Sequence, residues 1–233
     1  MGIKYTKEAF LEGQLLLINK PLKWTSFQVV NKIRWAIRKE FDIKKIKVGH
    51  AGTLDPLATG LMLICTGRMT KQIEQFMGMN KTYTGTFRLG ATTPSYDLET
   101  TVSVSKPTDH INAKMLAEVC AGFLGNIHQK PPLHSAIKKD GKRLYTLARA
   151  GKTTDIPSRE VLISDFELTE INMPSVDFSV NCSKGTYIRS LAHDFGQKLG
   201  CGAHLTSLKR TAIGNYQLAE ALTLDGFLNS LEK

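Results

Sequence analysis

Residues 48–60 read Val48-Gly49-His50-Ala51-Gly52-Thr53-Leu54-Asp55-Pro56-Leu57-Ala58-Thr59-Gly60. Three glycines in thirteen residues allow tight turns and close approach of backbone to a ligand, because glycine has no Cβ to clash. Pro56 biases Asp55 away from helix and toward extended backbone. A carboxylate held on such a loop has the chemistry of a nucleophile or a general base. Aspartate also caps turns with no catalytic role, and residue types alone leave both readings open. The glycines are not a phosphate cradle, since neither G-x-x-x-x-G-K-[ST] nor G-x-G-x-x-G occurs in the chain.

On the N-terminal side of this loop, Thr25 or Ser26 is placed to cap a helix. Phe27, Val30, Ile33 and Ile37 recur in it at helical spacing, with Lys32, Arg34, Arg38 and Lys39 on other faces. Residues 14–20 read as a buried strand ended by Lys20-Pro21. On the C-terminal side, 61–66 is an apolar run of strand length and 68–77 a short helix. Residues 82–89 form a strand with Tyr83, Gly85, Phe87 and Leu89 on one face. Residues 48–60 and 92–108 read as loop, 112–123 as helix, and 161–171, 176–182 and 204–213 as strands. Residues 187–199 read as a helix for which Thr186 is the candidate cap. Residues 129–142 read as an extended basic loop running into a helical stretch over 144–150. Interspersed strands and helices predict an α+β protein, a mixed and largely antiparallel sheet flanked by helices. No repeat or linker divides the chain, so one domain is expected over 1–233.

Hydrophobic residues are 42% and charged residues 22% of the 233, which excludes disorder and fibrous repeats. No apolar run approaches the roughly 18 residues of a membrane span, and the N-terminus lacks the pattern of a secretory signal. Four cysteines without C-x-x-C and six histidines without H-x-x-x-H point away from a metal site. They fit reduced, buried thiols in a cytoplasmic protein. The net charge is +10, and its distribution is uneven. Residues 32–47 hold seven Lys/Arg against two acids, and residues 128–152 hold seven against one. The other 192 residues hold 17 bases and 18 acids. All the excess charge thus sits in two short segments, as expected of a nucleic-acid partner.

Two further constellations stand out. In Cys182-Ser183-Lys184-Gly185-Thr186-Tyr187-Ile188-Arg189 a strand ends, the chain turns and a helix begins. The helix dipole disfavours an arginine in that first turn, which suggests that Arg189 has a specific carboxylate or phosphate partner. In Lys81-Thr82-Tyr83 the tyrosine can be a packing residue, or a platform on which an extruded base stacks.

Taken together, these stretches resemble the TruB-type tRNA pseudouridine synthases. The resemblance rests on Leu17-Ile18-Asn19-Lys20-Pro21 with Trp24-Thr25-Ser26, on residues 49–60, and on Lys81-Thr82-Tyr83. It continues through Pro131-Pro132 with Ser135-Ala136-Ile137-Lys138, Gly141 and Tyr145, then 182–189, then Gly200-Cys201-Gly202-Ala203-His204-Leu205 before Leu208. These motifs lie in order over about residues 13–215.

The resemblance implies the pseudouridine synthase catalytic fold and isomerisation of uridine 55 in the TΨC loop of tRNA, with the base flipped out. It implies Asp55 as the catalytic aspartate, Tyr83 and Tyr187 against the target base, and Arg189 pairing with the catalytic carboxylate and holding it ionised. His50 would hold flipped-out loop bases, Leu208 would line the uracil pocket, and Lys20 would support the loop. Asp97 aligns less securely with a polar neighbour. The segment at about 128–152, with Lys138, Lys139, Lys142 and Arg143, corresponds to an RNA-binding insertion. No cofactor, metal, membrane or obligate protein partner is implied, and the family precedent is a monomer. Two departures follow. Lys23 stands where the family usually has glycine, and the C-terminal PUA domain common in the family is expected to be absent or replaced by a short tail.

Overall fold

The structure, a computed structural model, describes residues 5–231 apart from 136, 140–141, 145, 147–149 and 152–153, and apart from the side chains of 138, 139, 142 and 143. In chain order the strands are β1 (Leu15–Lys20), β2 (Val48–His50), β3 (Ala58–Thr66), β4 (Lys81–Leu89), β5 (Ala91–Thr92), β6 (Val104–Ser105) and β7 (Gly125–Gln129). They continue with β8 (Lys138–Lys139), β9 (Lys142–Arg143), β10 (Arg159–Asn172), β11 (Ser175–Cys182), β12 (Ala203–Ile213), β13 (Tyr216–Gln217) and β14 (Leu222–Thr223). The α-helices are α1 (Lys7–Glu12), α2 (Ser26–Glu40), α3 (Ile73–Gly78), α4 (Ala113–Ala121), α5 (Ile188–Lys198) and α6 (Leu224–Leu231). Two compact units result, Met1–Tyr83 with Leu208–Lys233, and Thr84–Ser207.

In the first unit β1 lies between β14, which it pairs in parallel, and β3, which it pairs antiparallel. β3 also pairs β2 antiparallel and the Leu208–Arg210 stretch of β12 in parallel. Leu61, Met62, Leu63, Ile64 and Cys65 are all fully buried, because β3 is covered on both faces. That is why it reads as an unbroken apolar run rather than an alternating one. Ala51, Leu61, Leu63, Cys65, Phe76 and Ile213 form one packed cluster in this unit.

α2 begins with a capping box. The Thr25 hydroxyl accepts from the Gln28 N–H, and the Gln28 side chain accepts from the Thr25 N–H. Its buried stripe is Ser26, Val29, Val30, Ile33 and Ile37. Phe27, expected in that stripe, is instead 68% exposed. At about 100° per residue it lies a quarter turn off the line through Ser26, Ile33 and Ile37, and the small Ser26 takes the inward place.

The second unit is built on the Thr84–Leu89 part of β4, followed outward by β11, β10 and β7. Its core is aromatic. Phe87 stacks on Phe178 at 4.1 Å between centroids, and Phe166, Phe195 and Phe123 pack around the pair. β1–β14 and β3–β12 pair in parallel, whereas β1–β3, β2–β3, β7–β10, β10–β11 and β12–β13 pair antiparallel, a mixed sheet in agreement with the expected class.

Four expectations need correction. Residues 48–60 are not all loop, since β2 and the start of β3 pair within them. The polar 92–108 stretch contains the short β5–β6 ladder. The 68–77 helix is a 3₁₀ turn (Gly67–Gln72) followed by α3. The cap of α5 is Tyr187 rather than Thr186, whose hydroxyl donates back to the Ser183 carbonyl. β8 and β9 form a hairpin in the basic segment, and the helical stretch expected over 144–150 falls mainly outside the described residues.

Candidate active site

The loop around Asp55 is held by its own unit through several of its backbone groups. The Leu54 N–H donates to the Ser26 hydroxyl at 2.8 Å, and that hydroxyl donates to the Leu54 carbonyl at 3.0 Å. The Asp55 carbonyl accepts from the Ala58 N–H, and the Pro56 carbonyl from the Lys23 N–H at 2.8 Å. Lys23 has a φ of +66°. This explains why glycine is usual at that position: the turn needs the left-handed region, which a side chain enters only at a cost.

Two buried cations flank the loop. Lys20 and Arg210 lie in register on either side of Gly60, on β1 and β12. The Lys20 ammonium is fully buried and donates to the carbonyls of Trp24 (2.6 Å), Pro21 (3.0 Å) and Pro56 (3.4 Å). Burial pulls its pKa down to about 8, with Arg210 acting in the same direction and the Asp55 carboxylate opposing. Arg210, 1% exposed, donates to the Leu61 carbonyl at 2.7 Å and the Gly52 carbonyl at 3.0 Å. It thereby ties the two ends of the loop together. Gly60 has a φ of +107°, and a Cβ there would lie 2.3 Å from the Arg210 carbonyl oxygen. Only glycine lets β12 approach β3 at this point.

The Asp55 carboxylate is therefore carried, half-buried, on an anchored loop, where it interacts electrostatically with the buried Lys20 ammonium. His50 ends β2 at the start of the loop. Burial first, and the Arg210 guanidinium second, hold its pKa below 6.5, so its imidazole is neutral at pH 7. Leu208 lies in parallel register with Ala58, three residues from Asp55. Tyr83, 9% exposed, follows Thr82, whose carbonyl accepts from Thr211 of β12. The structure thus brings Lys20, His50, Asp55 and Leu208 to one loop.

Arg189 and Tyr187 belong to the second unit. Arg189 is 4% exposed and donates to the carbonyls of Ser95 (3.1 Å) and His134 (2.9 Å), with the Asp97 carboxylate 3.7 Å from its Nε. An arginine misplaced against the helix dipole does have specific partners. Asp97 is itself fixed: its carboxylate accepts from the Glu99 N–H, and its carbonyl from the hydroxyls of Thr93 and Ser95. Tyr187 caps α5 through its backbone. Its N–H donates to Gln129 Oε1 at 2.7 Å and its carbonyl accepts from Gln129 Nε2 at 3.0 Å. The Arg159 guanidinium lies 4.7 Å from the centre of its ring.

Sequence reasoning missed Ser26 as a loop anchor, Arg210, Gln129 and Arg159. Arg210 carried a signal, being a charge on the same strand parity as Leu208 and Ala212. Lys138, Lys139, Lys142 and Arg143 lie on the β8–β9 hairpin, with side chains outside the described residues. All four cysteines are buried and none is in a disulfide, and burial pushes the Cys65 and Cys120 thiols up to about 11, so these two are inert at neutral pH. Among the described residues no three His, Cys, Asp or Glu side chains are grouped to hold a metal, and no helix is long and apolar enough to cross a membrane.

Comparison with known proteins places this geometry. Residues 38–188 match the model of the TruB family pseudouridylate synthase N-terminal domain, and 189–233 that of the tRNA pseudouridylate synthase B C-terminal domain. A tRNA pseudouridine synthase B of Flavobacterium johnsoniae is 57% identical over 228 residues, 97% of this chain and 100% of that one. One from Phocaeicola vulgatus is 51% identical, covering 96% and 95%. Among solved structures, a chain of a Cbf5-Nop10-Gar1 complex superposes with a TM-score of 0.71 at 28% identity over 94% of this chain. This chain spans about half of that one, 54%. The chain belongs to the TruB family of pseudouridylate synthases.

Proposed function

We propose that this enzyme isomerises uridine to pseudouridine at position 55 in the TΨC loop of tRNA, in the cytoplasm, as a monomer without cofactor or metal. The observation that carries the reading is the half-buried Asp55 carboxylate on a loop pinned by Ser26, Lys20 and Arg210. A relative named tRNA pseudouridine synthase B matches along its whole length and another over 95% of its length, and this supports tRNA as the substrate.

The reaction exchanges the N1–C1′ bond for a C5–C1′ bond in one nucleotide. The C5 proton leaves and N1 gains one, so no atom enters from a co-substrate. Asp55 takes the catalytic place, as nucleophile or as base at C2′, and both require its ionised form. The fixed Lys20 cation, with which the carboxylate interacts, favours that form without solvent reorganisation. We assign to Tyr83 and Tyr187 the contact with the flipped base, to Arg189 neutralisation of the carboxylate charge, to His50 the hold on neighbouring loop bases and to Leu208 the uracil-pocket wall. Flipping costs a few kcal/mol, and one aromatic stack returns roughly 1–3 kcal/mol of it. Lys138, Lys139, Lys142 and Arg143 carry the phosphate contacts of the basic insertion.

The test offers the purified protein two unmodified RNAs, a T-arm hairpin and a ribosomal RNA fragment, and maps pseudouridine in each. Conversion of the hairpin at the position-55 uridine alone is expected. Conversion only in the ribosomal fragment would overturn the substrate assignment.

A further inference from the structure

The outward face of α2 is used neither by the core nor by the Asp55 loop, and it is built unlike a merely solvated surface. Taking the buried line through Ser26, Ile33 and Ile37 as zero, Trp35 points about 180° away at 100° per residue. Its indole is 55% exposed. The ammonium groups of Lys32 and Lys39, one turn before and one turn after, each lie 5.2 Å from its ring centre. Beyond it opens a cleft of about 460 Å³, lined by Trp35, Arg38, Lys39, Asp42, Ile43 and Lys44.

The charges of this segment divide into two groups. Arg34 and Arg38 are structural, since they donate to the carbonyls of Val48 and Ile43. Lys32, Lys39, Lys44, Lys45 and Lys47 are exposed, and among the described residues none has a carboxylate within ion-pair distance. Ile43, Ile46 and Val48 point inward between the last three. The uncompensated charge therefore runs as a ridge from the C-terminal end of α2 along residues 44–47 into β2, which ends at His50. A flat aromatic ring between cations, continuous with a cationic ridge, matches the chemistry of unpaired RNA: a base face to stack on and phosphates to pair.

We infer that this face is a docking surface for a second, unpaired segment of the tRNA, outside the T-arm. One base of it stacks on Trp35 while its phosphates meet Lys32, Lys39 and Lys44. The inference rests on the tRNA reading above and adds a contact that the target loop alone does not make. Duplex RNA would offer the ridge phosphates but no free base face for the indole.

The experiment compares a full-length unmodified tRNA transcript with the T-arm hairpin cut from it, for wild type, Trp35→Ala and Trp35→Phe. Trp35→Ala is expected to weaken binding of the full-length tRNA about tenfold, as for loss of one base stack. Trp35→Phe should stay within about threefold. Hairpin binding and conversion should be unchanged in both. A Lys32→Gln/Lys39→Gln double variant, which keeps the indole, should lower the salt slope by about 1.4 for the full-length tRNA only. Unchanged binding of full-length tRNA by Trp35→Ala, or equal weakening on both RNAs, would overturn the inference. Failure of the wild type to convert the hairpin would instead overturn the functional reading, so the two failures are distinguishable.

Discussion

Lys20 shows how one side chain joins fold to chemistry. Its ammonium is fully buried, its three donors meet three carbonyls, and its pKa is drawn down to about 8. The folded protein releases this proton near pH 8, whereas the unfolded chain keeps it to about 10.5. Between those values the unfolded state binds more protons, so this group makes stability rise with pH. Measured by urea unfolding at pH 7 and pH 10, wild type should gain about 2–3 kcal/mol relative to Lys20→Met. A stability difference independent of pH would contradict the assignment. The structural strain at Lys23 sits in the same turn. Lys23→Gly relieves a left-handed side chain and should raise stability by about 0.5–1 kcal/mol, read as a small upward shift in Tm. The need for glycine there was legible as a departure from the family pattern. Its cause, a donor aimed at the Pro56 carbonyl, became visible only with the tertiary partner in place.

At the scale of elements, periodicity was legible wherever one face decided burial. β1, β3, β4, α2 and α4 lie where apolar spacing puts them, because each contributes a run long enough to define a face. Phe27 and the cap of α5 were misread for a common reason. An edge position on a helix and the choice between adjacent cap residues depend on which neighbour has a partner, and Leu54 and Gln129 supply those partners, to Ser26 and Tyr187, from outside the helix sequence pattern. Arg210 is the fullest case, since a single charge in a strand gives no sign of the two carbonyls that receive it. The β3–β12 contact yields a sharp prediction. Gly60→Ala places a methyl group 2.3 Å from the Arg210 carbonyl at a φ of +107° and should cost more than about 3 kcal/mol. Gly78→Ala, at the end of α3 with nothing within 4 Å of the added carbon, should stay within about 1 kcal/mol of wild type. Thermal unfolding of the pair separates close approach from generic glycine effects, and equal Tm losses would contradict the packing account.

For the whole molecule, the charge distribution separates binding from folding. The two basic segments carry all the net charge, while both compact units have apolar cores of their own. RNA affinity should therefore fall steeply with salt through counterion release. Replacing Lys138, Lys139, Lys142 and Arg143 with glutamine should flatten the dependence of log K on log salt by about 2–4, with Tm little changed. An unchanged slope would remove the hairpin from the phosphate contacts. A polyanionic partner was legible in the net charge and its clustering along the chain. The division of labour inside residues 32–47, with arginines tied to carbonyls and lysines left to solvent, was not legible, because it depends on how α2 meets the chain that follows it.

The chemistry proposed for the site turns on the carboxylate of Asp55. The most direct measurement pairs single-turnover pseudouridine formation with the tRNA dissociation constant for wild type and Asp55→Asn, an exchange that keeps side-chain size and removes the charge. Turnover should disappear, with a loss of at least a thousandfold, while tRNA affinity stays within about threefold. Retained turnover in Asp55→Asn, or parallel loss of binding and turnover, would contradict the role given to this residue.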